Sequence, residues 1–245
     1  MSELSFSFAP SNKLLRALSE EDRELLRPDL EALELPRDQD LEKPHEPIRD
    51  VYFLESGIAS TVGGDHGGND RPIEVGLIGR EGVTGLPLLL GNHLSTHSIY
   101  MQVAGDGHRI AAQPFREALA TSPTLHGLLL RFVQIFMIQL TQTAIANGRS
   151  KIEERLARWL LMADDRVDTS DLPLTHEFIS MMLGVRRAGV TDAIHALTGR
   201  GLIKAVRGNI QIIDRDGLAE NANGCYGEPE REYQRLIGRE RRPPG

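Results

Sequence analysis

The most regular alternation of apolar and polar positions lies between residues 174 and 213. Two short segments there have the three- and four-residue apolar spacing of amphipathic helices, with Phe178, Ile179, Met182 and Leu183 in the first and Val190, Ala193, Ile194 and Leu197 in the second. Thr175 is placed to cap the first helix, and Gly184 ends it. Two β-prone runs, 203–206 and 210–213, follow around Arg207-Gly208-Asn209. This order of elements predicts a winged helix-turn-helix.

From about residue 33 to residue 112 the pattern changes to short β-prone runs separated by turn formers. The runs are 51–54, 58–62, 73–78 and 99–103. Many short strands at close spacing predict an antiparallel sandwich or barrel. Ahead of them, residues 12–27 are rich in leucine, and Ser19-Glu20-Glu21-Asp22 is typical of a helix start.

One long helix is predicted from Ser122-Pro123 to Asn147-Gly148. Its middle, LLLRFVQIFMIQL, is apolar around most of its girth and must be covered on more than one side. We expect a symmetric dimer along residues 122–147. The predicted interface residues are Leu128, Leu129, Phe132, Ile135 and Phe136. Burial within one monomer is the alternative, and a membrane span is disfavoured because polar residues keep the apolar runs well below the roughly 20 residues that a bilayer needs.

Asn147-Gly148-Arg149 is interpreted as a hinge, and residues 149–220 as the domain that contains the helix-turn-helix. The first helix of that domain should place Trp159 in the core and Arg155 and Arg158 on its outer face. Past Ala222, prolines, glycines and mixed charges leave little to bury beyond Tyr233, Leu236 and Ile237. Residues 223–245 are therefore predicted to be a flexible tail.

Composition and charge narrow the function. The chain has 245 residues, of which 40% are hydrophobic and 26% charged, as in an ordinary soluble protein. Its net charge is −7, yet residues 174–213 carry +3, so positive charge is concentrated at the helix-turn-helix. Nothing at the N-terminus marks the chain for export, and the single cysteine, Cys225, excludes an internal disulfide and a four-cysteine iron–sulfur cluster. We expect a cytoplasmic protein.

The motif and its charge predict binding to double-stranded DNA, since the start of a second helix laid in the major groove faces base edges. Arg187 could bond two acceptors of a guanine, while Arg186, the Gly189 amide, Lys204 and Arg207 could hold phosphates. A plain helical hairpin with a solvated basic face is the alternative. The complete predicted set is Thr175, Arg186, Arg187, Ala188, Gly189, Thr191, Asp192, Lys204 and Arg207.

Over residues 12–220 the sequence resembles the Crp/Fnr family of bacterial transcription regulators. The resemblance rests on VYFLESGIAS at 51–60, the long apolar helix, KIEERLARWLLMADDRV at 151–167 and the helix-turn-helix, in this order. It implies a β-roll that holds a cyclic nucleotide in the best-known members, a dimer seam along the long helix, and DNA as partner. The family typically presents an Arg-Glu pair and a second Arg one turn later. Here Arg187 matches the first arginine, while Ala188 and Asp192 replace the other two.

The same comparison indicates a degenerate nucleotide site. The family's Gly-Glu pair and Arg-Ser/Thr-Ala triplet correspond here to Gly85-Leu86 and His97-Ser98-Ile99. Leucine cannot accept a bond from the ribose hydroxyl, and a mostly neutral histidine cannot replace an arginine fork toward phosphate. We therefore expect the usual nucleotide site to be absent, with the effector unknown.

Enzymatic and metal-binding functions are not indicated. The sequence has no Gly-x-Ser-x-Gly elbow, phosphate-binding glycine loop before a lysine, or His-Glu-x-x-His helix. His93 and His97 are four apart, but this spacing converges only on a helix, and the region is predicted to be loop and strand. We predict no metal and no cofactor.

The predicted fold class is α+β, with an N-terminal antiparallel, jelly-roll-like β-roll (12–118), a dimerisation helix (122–147), a winged helix-turn-helix domain (149–220) and a tail (223–245). The predicted function is a homodimeric transcription regulator of the Crp/Fnr type, with RNA polymerase as a further partner and no membrane. Two alternatives stay open. One is a ligand-binding or interaction module whose helix-turn-helix no longer reads sequence, which the acidic Asp192 favours, and the other is an enzyme built on the roll.

Overall fold

The computed structural model describes residues 10–64, 72–167, 171–206 and 208–238. Its N-terminal half is an antiparallel β-roll of two facing sheets, ordered β1-β7-β3 and β2-β6-β4-β5. The strands are β1 (Glu31–Leu35), β2 (Asp40–Glu42), β3 (Asp50–Leu54), β4 (Ile58–Gly63), β5 (Ile73–Ile78), β6 (Ser98–Val103) and β7 (Gly105–Ala111). The predicted β-roll is therefore present.

The four predicted strand runs coincide with β3, β4, β5 and β6, whereas β1, β2 and β7 were not predicted. The sequence of β7 begins Gly-Asp-Gly-His, which disfavours a strand. It is nevertheless the central strand of its sheet, paired with Glu31–Leu35 on one side and Asp50–Leu54 on the other. Pairing on both edges outweighs its low intrinsic propensity.

Five helices surround the roll: α1 (Lys13–Ala17), α2 (Glu20–Leu26), α3 (Leu86–Leu89), α4 (Ala112–Thr121) and α5 (Pro123–Arg149). Ser19 caps α2 as predicted, and the Ser122 hydroxyl accepts from the Leu125 amide at 3.1 Å to begin α5. The predicted hinge at Asn147-Gly148-Arg149 is wrong, because α5 continues through these residues for a total of 27. Only Ser150 and Lys151 separate it from the next helix.

The C-terminal domain contains α6 (Ile152–Asp164), β8 (Asp171–Pro173), α7 (His176–Leu183), α8 (Arg187–Gly199), β9 (Ile203–Val206), β10 (Asn209–Ile212) and α9 (Arg215–Asn221). The two helices and the hairpin of the predicted winged helix-turn-helix are α7, α8, β9 and β10. The wing sheet has a third strand that the sequence pattern did not indicate, since β8 pairs with the other side of β10. A run of three residues is too short to show a strand period.

Two apolar cores stabilise these halves. The first joins the two sheets of the roll to α4 and to one face of α5. The second lies between α6, α7, α8 and the wing, and it also contains Ile58 and Leu77 from the roll. Because strand residues of the roll belong to the core of the C-terminal domain, the two halves pack directly against each other.

The predicted flexible tail is corrected over residues 228–237, where α10 (Glu228–Leu236) packs on α5. Its residues Tyr233 and Ile237 are buried in the core of the roll. The few apolar residues recognised in the sequence are thus enough to hold a short helix, because they lie on one face and meet an apolar partner. Residues 239–245 lie outside the described part of the chain.

Candidate nucleic-acid interface

The turn between α7 and α8 is fixed by local hydrogen bonds. Thr175 Oγ1 accepts from the Phe178 amide at 3.2 Å, which caps the start of α7. At the other end, Gly184 has φ +61°, a left-handed conformation that favours glycine, and its amide donates to the Met181 carbonyl at 3.1 Å. Val185 then donates to the Ser180 carbonyl at 3.0 Å. The helix-turn-helix geometry therefore follows from these few residues.

Gly189, whose amide is predicted to contact a phosphate, lies in the first turn of α8 next to Ile152. A Cβ at this position would lie 2.8 Å from Cδ1 of Ile152, so any larger residue would require the end of the Ile152 side chain to move. Its amide donates to the Arg186 carbonyl at 3.0 Å within the first turn of α8. This N–H group therefore has a partner within the chain.

The first two turns of α8 present the remaining predicted residues on one exposed face. Arg186, Arg187, Ala188 and Asp192 are exposed, whereas Val190, Ala193, Ile194 and Leu197 are buried on the opposite face. Thr191 is half-buried, and its hydroxyl donates to the Arg187 carbonyl at 3.1 Å and lies 3.2 Å from Nδ1 of His176. This hydroxyl is held by the protein and is a weaker candidate for DNA contact than the four exposed side chains.

Arg187 pairs with a residue that the sequence reasoning did not assign. Its Nη2 donates to Oε2 of Glu177 on α7 at 3.2 Å, and both side chains are exposed. The ionic partner of Arg187 therefore lies on the preceding helix. An exposed pair of this kind contributes only about 0–1 kcal/mol, so Arg187 can leave it for a stronger acceptor.

The wing carries the predicted phosphate contact Lys204. Lys204 is exposed on β9, opposite Gln211 of β10. Gly208 has φ +83° in the hairpin turn, which confirms the predicted tight turn at this point. Arg207, the other predicted phosphate contact of the wing, lies outside the described residues.

Residues 154–221 match the model of the Crp-like helix-turn-helix domain. The chain contains a Crp-like helix-turn-helix domain. A search of curated proteins found no match.

Solved structures extend the likeness to the fold of nearly the whole chain. A transcriptional regulator of the Crp/Fnr family from Eubacterium rectale has a TM-score of 0.67 at 18% identity, covering 86% of this chain and 98% of the other. FixK2 from Bradyrhizobium japonicum has a TM-score of 0.66 at 17% sequence identity, and the match covers 78% of this chain and 96% of FixK2. The global regulator CLP from Xanthomonas campestris, described as responsive to c-di-GMP, has a TM-score of 0.64 at 15% sequence identity. The match covers 79% of this chain and 99% of CLP. The predicted resemblance to Crp/Fnr regulators is confirmed at the level of fold.

Gly85, predicted from the resemblance to belong to a degenerate nucleotide site, contacts a carboxylate of the chain itself. The Gly85 amide, at the start of α3, donates to Oε1 of Glu42 at 2.7 Å, and Glu42 is buried. Burial raises the pKa of Glu42, partly offset by the Gly85 and Ser95 hydrogen bonds. Burial lowers the pKa of His97, which keeps the imidazole neutral. Leu86 lies in α3 and Ser98 begins β6. Glu42 was missed because it is 43 residues away from Gly85 in sequence.

A buried acid joins the roll to the Crp-like domain. Glu74 on β5 accepts at Oε1 from the Trp159 indole N–H at 2.6 Å and at Oε2 from the Ser60 hydroxyl at 2.6 Å. Burial raises its pKa to about 7, although the Ser60 and Trp159 hydrogen bonds and the charges of Arg158 and Arg166 act in the opposite direction. Near it, Gln102 Nε2 donates to the Met182 sulfur on α7 at 3.0 Å. Polar contacts from two roll strands, β5 and β6, therefore reach α6 and α7.

Trp159 is buried as predicted, but the predicted outward positions of Arg155 and Arg158 are wrong. Arg158 is buried, and it donates to the Cys225 carbonyl at 2.9 Å and the Gln139 carbonyl at 3.3 Å. Arg155 is half-buried and donates to the Leu183 carbonyl. Both guanidinium groups donate to backbone carbonyls of other elements, which a hydrophobic pattern cannot reveal.

The faces of α5 are arranged differently from the prediction. Leu128, Leu129, Phe132, Ile135 and Phe136 are all buried inside the monomer, in the core of the roll. The exposed apolar residues are Leu130 (38%), Met137 (56%) and Ile145 (42%), which share one face with Gln134 and Thr141. By length and composition α5 could cross a membrane, and a single helix of this kind is weak evidence for a span.

Across the described residues, no group of three His, Cys, Asp or Glu side chains is arranged to hold a metal ion. His93 and His97 lie in the loop before β6 and not on a helix, so their spacing does not bring them together.

Proposed function

We propose that the protein is a sequence-specific, dimeric transcription regulator that binds double-stranded DNA in the cytoplasm and has no catalytic activity. The observation that carries this proposal is the exposed, basic start of α8 on a Crp-like helix-turn-helix domain. Arg186, Arg187, Ala188 and Asp192 share a face that no other part of the described chain covers. Laid in the major groove, this face meets base edges, and the wing meets the backbone.

Each side chain on this face can be assigned a contact with DNA. Arg187 would exchange its exposed bond to Glu177 for the two acceptors of a guanine, while Ala188 can only pack on a thymine methyl group. Asp192 would accept from the amino group of a cytosine. Arg186, Lys204 and Arg207 would hold phosphates. Because Ala188 and Asp192 replace the family's Glu and second Arg, the operator should differ from the common one of the family.

The dimer is proposed along the exposed face of α5. Leu130, Met137 and Ile145 recur at intervals of seven and eight residues, so they form one stripe along the helix. A second copy related by a two-fold axis would cover this stripe with the same stripe. Two Crp-like domains would then read an inverted repeat whose half-sites lie about one helical turn apart. Because a second copy would cover this stripe, the stripe would not be available to lipid. We therefore propose no membrane association.

The effector is proposed to differ from a cyclic mononucleotide. The amide at the start of α3 already binds Glu42, and Leu86 and neutral His97 stand where the family has its ribose and phosphate ligands. CLP is described as responsive to c-di-GMP, so effectors vary among proteins of this fold. RNA polymerase is a further proposed partner, since regulators of this type act at promoters.

Selection of bound duplexes from a random pool tests the proposal directly. The full-length protein should enrich an inverted repeat with a guanine in each half-site. Enrichment of no motif, with binding that depends only on salt, would contradict sequence-specific recognition.

The second candidate is an interaction module whose helix-turn-helix no longer reads sequence. The Arg187–Glu177 pair favours it, because a pre-formed ion pair lowers the positive potential at the position where the guanine contact is proposed. In that case the selection yields no motif, and substitution of Arg187 leaves DNA affinity unchanged.

A further inference from the structure

A cavity of about 200 Å³ lies where α5, α10 and the end of α6 meet. Phe132, Ile135 and Phe136 of α5 form one wall, and Pro229 and Tyr233 of α10 form another. Arg166, two residues after α6, closes the polar end. The cavity is separate from Glu42 and Gly85 of the degenerate nucleotide site, which do not line it.

Two side chains that line this cavity carry buried polar atoms without a hydrogen-bond partner among the described residues, namely Tyr233 Oη and Arg166 Nε. Tyr233 is 7% exposed and Arg166 is 5% exposed, so bulk water does not satisfy them. The rest of the Arg166 guanidinium is anchored, at 2.7 Å to Glu81 and 2.6 Å to the Met162 carbonyl. Buried polar groups are normally paired, and both of these atoms belong to side chains that line the cavity.

The charges at the cavity argue against an anionic ligand. Three acids line it, Glu81, Asp165 and Glu230, against the two bases Lys13 and Arg166. The charge of Arg166 is already balanced by Glu81. Burial raises the pKa of Glu230, whereas the charges of Arg166 and Arg158 act in the opposite direction.

The size and the walls define the ligand further. An apolar cavity of about 150 Å³ accepts benzene, so this volume holds one ring with a small substituent. The ring centroids of Phe132 and Phe136 lie 6.2 Å apart, and aromatic walls favour an aromatic ligand. We propose that this cavity binds an uncharged, single-ring aromatic compound with a hydroxyl group, which hydrogen-bonds to Arg166 and Tyr233 after small side-chain movements.

Occupation of this cavity would link two parts of the proposed regulator. Phe132, Ile135 and Phe136 belong to α5, and Arg166 belongs to the Crp-like domain. A ligand that touches both would change how the domain sits on the helix proposed as the dimer seam. This consequence rests on the proposed function. Ligand binding itself does not, and ligand binding is measured without DNA.

Phenol is the probe, titrated into the full-length protein by NMR and calorimetry, with toluene as the ring without a hydroxyl group. We expect saturable, one-site phenol binding at or below about 10 mM, with shift changes at the cavity-lining residues. Tyr233→Phe keeps the ring and removes the hydroxyl, and it should weaken phenol about fivefold, the worth of one net hydrogen bond. The matched control is Tyr52→Phe, which is also 7% exposed but does not line this cavity.

The melting temperature of Tyr233→Phe, measured by circular dichroism, should be equal to or higher than that of the native chain. The reason is that the removed hydroxyl has no hydrogen-bond partner among the described residues. The proposal is overturned by the absence of saturable phenol binding, by toluene binding as tightly as phenol, or by equal affinities of the native chain and Tyr233→Phe. A change in DNA affinity on phenol addition would be a separate result, which tests the link to the proposed function.

Discussion

Trp159 and Glu74 are joined by a hydrogen bond of 2.6 Å from the indole N–H to Oε1, and this bond connects α6 of the Crp-like domain to β5 of the roll. Both side chains are buried, and the second carboxylate oxygen is bonded to Ser60. A carboxyl group at this junction is costly to ionise, and its titration should therefore affect the packing of the two halves.

Stability should depend on pH through Glu74. Its pKa is raised from 4.5 to about 7, so the folded protein binds a proton more tightly than the unfolded chain. This contribution is fully present below about pH 4.5 and is lost as the pH rises through 7. From pH 5.5 to pH 8 the native chain should lose roughly 2 kcal/mol of unfolding free energy relative to Glu74→Gln.

Urea unfolding at the two pH values measures this difference, and Glu177→Gln, at an exposed acid, serves as the control. If the unfolding free energies of the native chain and Glu74→Gln change equally between the two pH values, Glu74 does not titrate as its environment implies.

The hydrogen bond itself is tested by Trp159→Phe. The substitution retains an aromatic ring near Phe178, whose ring centroid lies 6.3 Å from that of Trp159, but it removes the donor to Glu74. We expect a loss of about 1–3 kcal/mol at pH 8, because a buried carboxylate loses a partner. A double-mutant cycle with Glu74→Gln measures the coupling between the two residues. A coupling energy near zero would mean that the bond contributes nothing to domain packing.

The dimer should depend on the exposed stripe of α5. Met137→Glu introduces a charge at a residue that is 56% exposed, so the monomer should stay folded while the proposed seam is broken. Leu90→Glu is the matched control, since Leu90 is 64% exposed and lies outside α5. Sedimentation equilibrium at micromolar concentration should find dimers for the native chain and the control and monomers for Met137→Glu. If the native chain is a monomer, or if Met137→Glu is still a dimer, α5 does not form the dimer interface.

The sequence predicted α5 and its apolar character but not the face that stays exposed. In LLLRFVQIFMIQL nearly every position is apolar, so periodicity cannot distinguish the side that the roll covers from the side left open. That choice depends on the sheets, which bury Phe132 and Phe136 and leave Met137 exposed. The same limit applies to Glu42 and Gly85, whose contact is created by the fold across 43 residues. By contrast, the turn at Gly184 and the start of α8 depend on neighbouring residues, and these were predicted correctly.

Cyclic mononucleotides should not bind to the roll. A ligand phosphate at the start of α3 would compete with the Glu42 carboxylate for the Gly85 amide, and neutral His97 offers it no charge. Calorimetry with cyclic AMP and cyclic GMP should give no binding at micromolar concentrations. A tight, stoichiometric heat would show that the site has other ligands for the phosphate and ribose.

The last prediction separates base reading from phosphate contact at the Crp-like domain. Arg187→Ala should weaken operator binding by about 1–3 kcal/mol and relax the choice of one base pair per half-site, since a bidentate guanine contact is lost. Lys204→Ala, on the wing, should weaken all duplexes alike and reduce the salt slope by about 1. Glu177→Gln removes the ionic partner of Arg187, which should strengthen binding without changing the preferred sequence, because the freed guanidinium no longer has to break a pair of 3.2 Å. Fluorescence anisotropy with the selected operator and single-base variants measures all three. Unchanged affinity and preference in Arg187→Ala would instead favour the interaction module, because α8 would then not be the element that reads DNA.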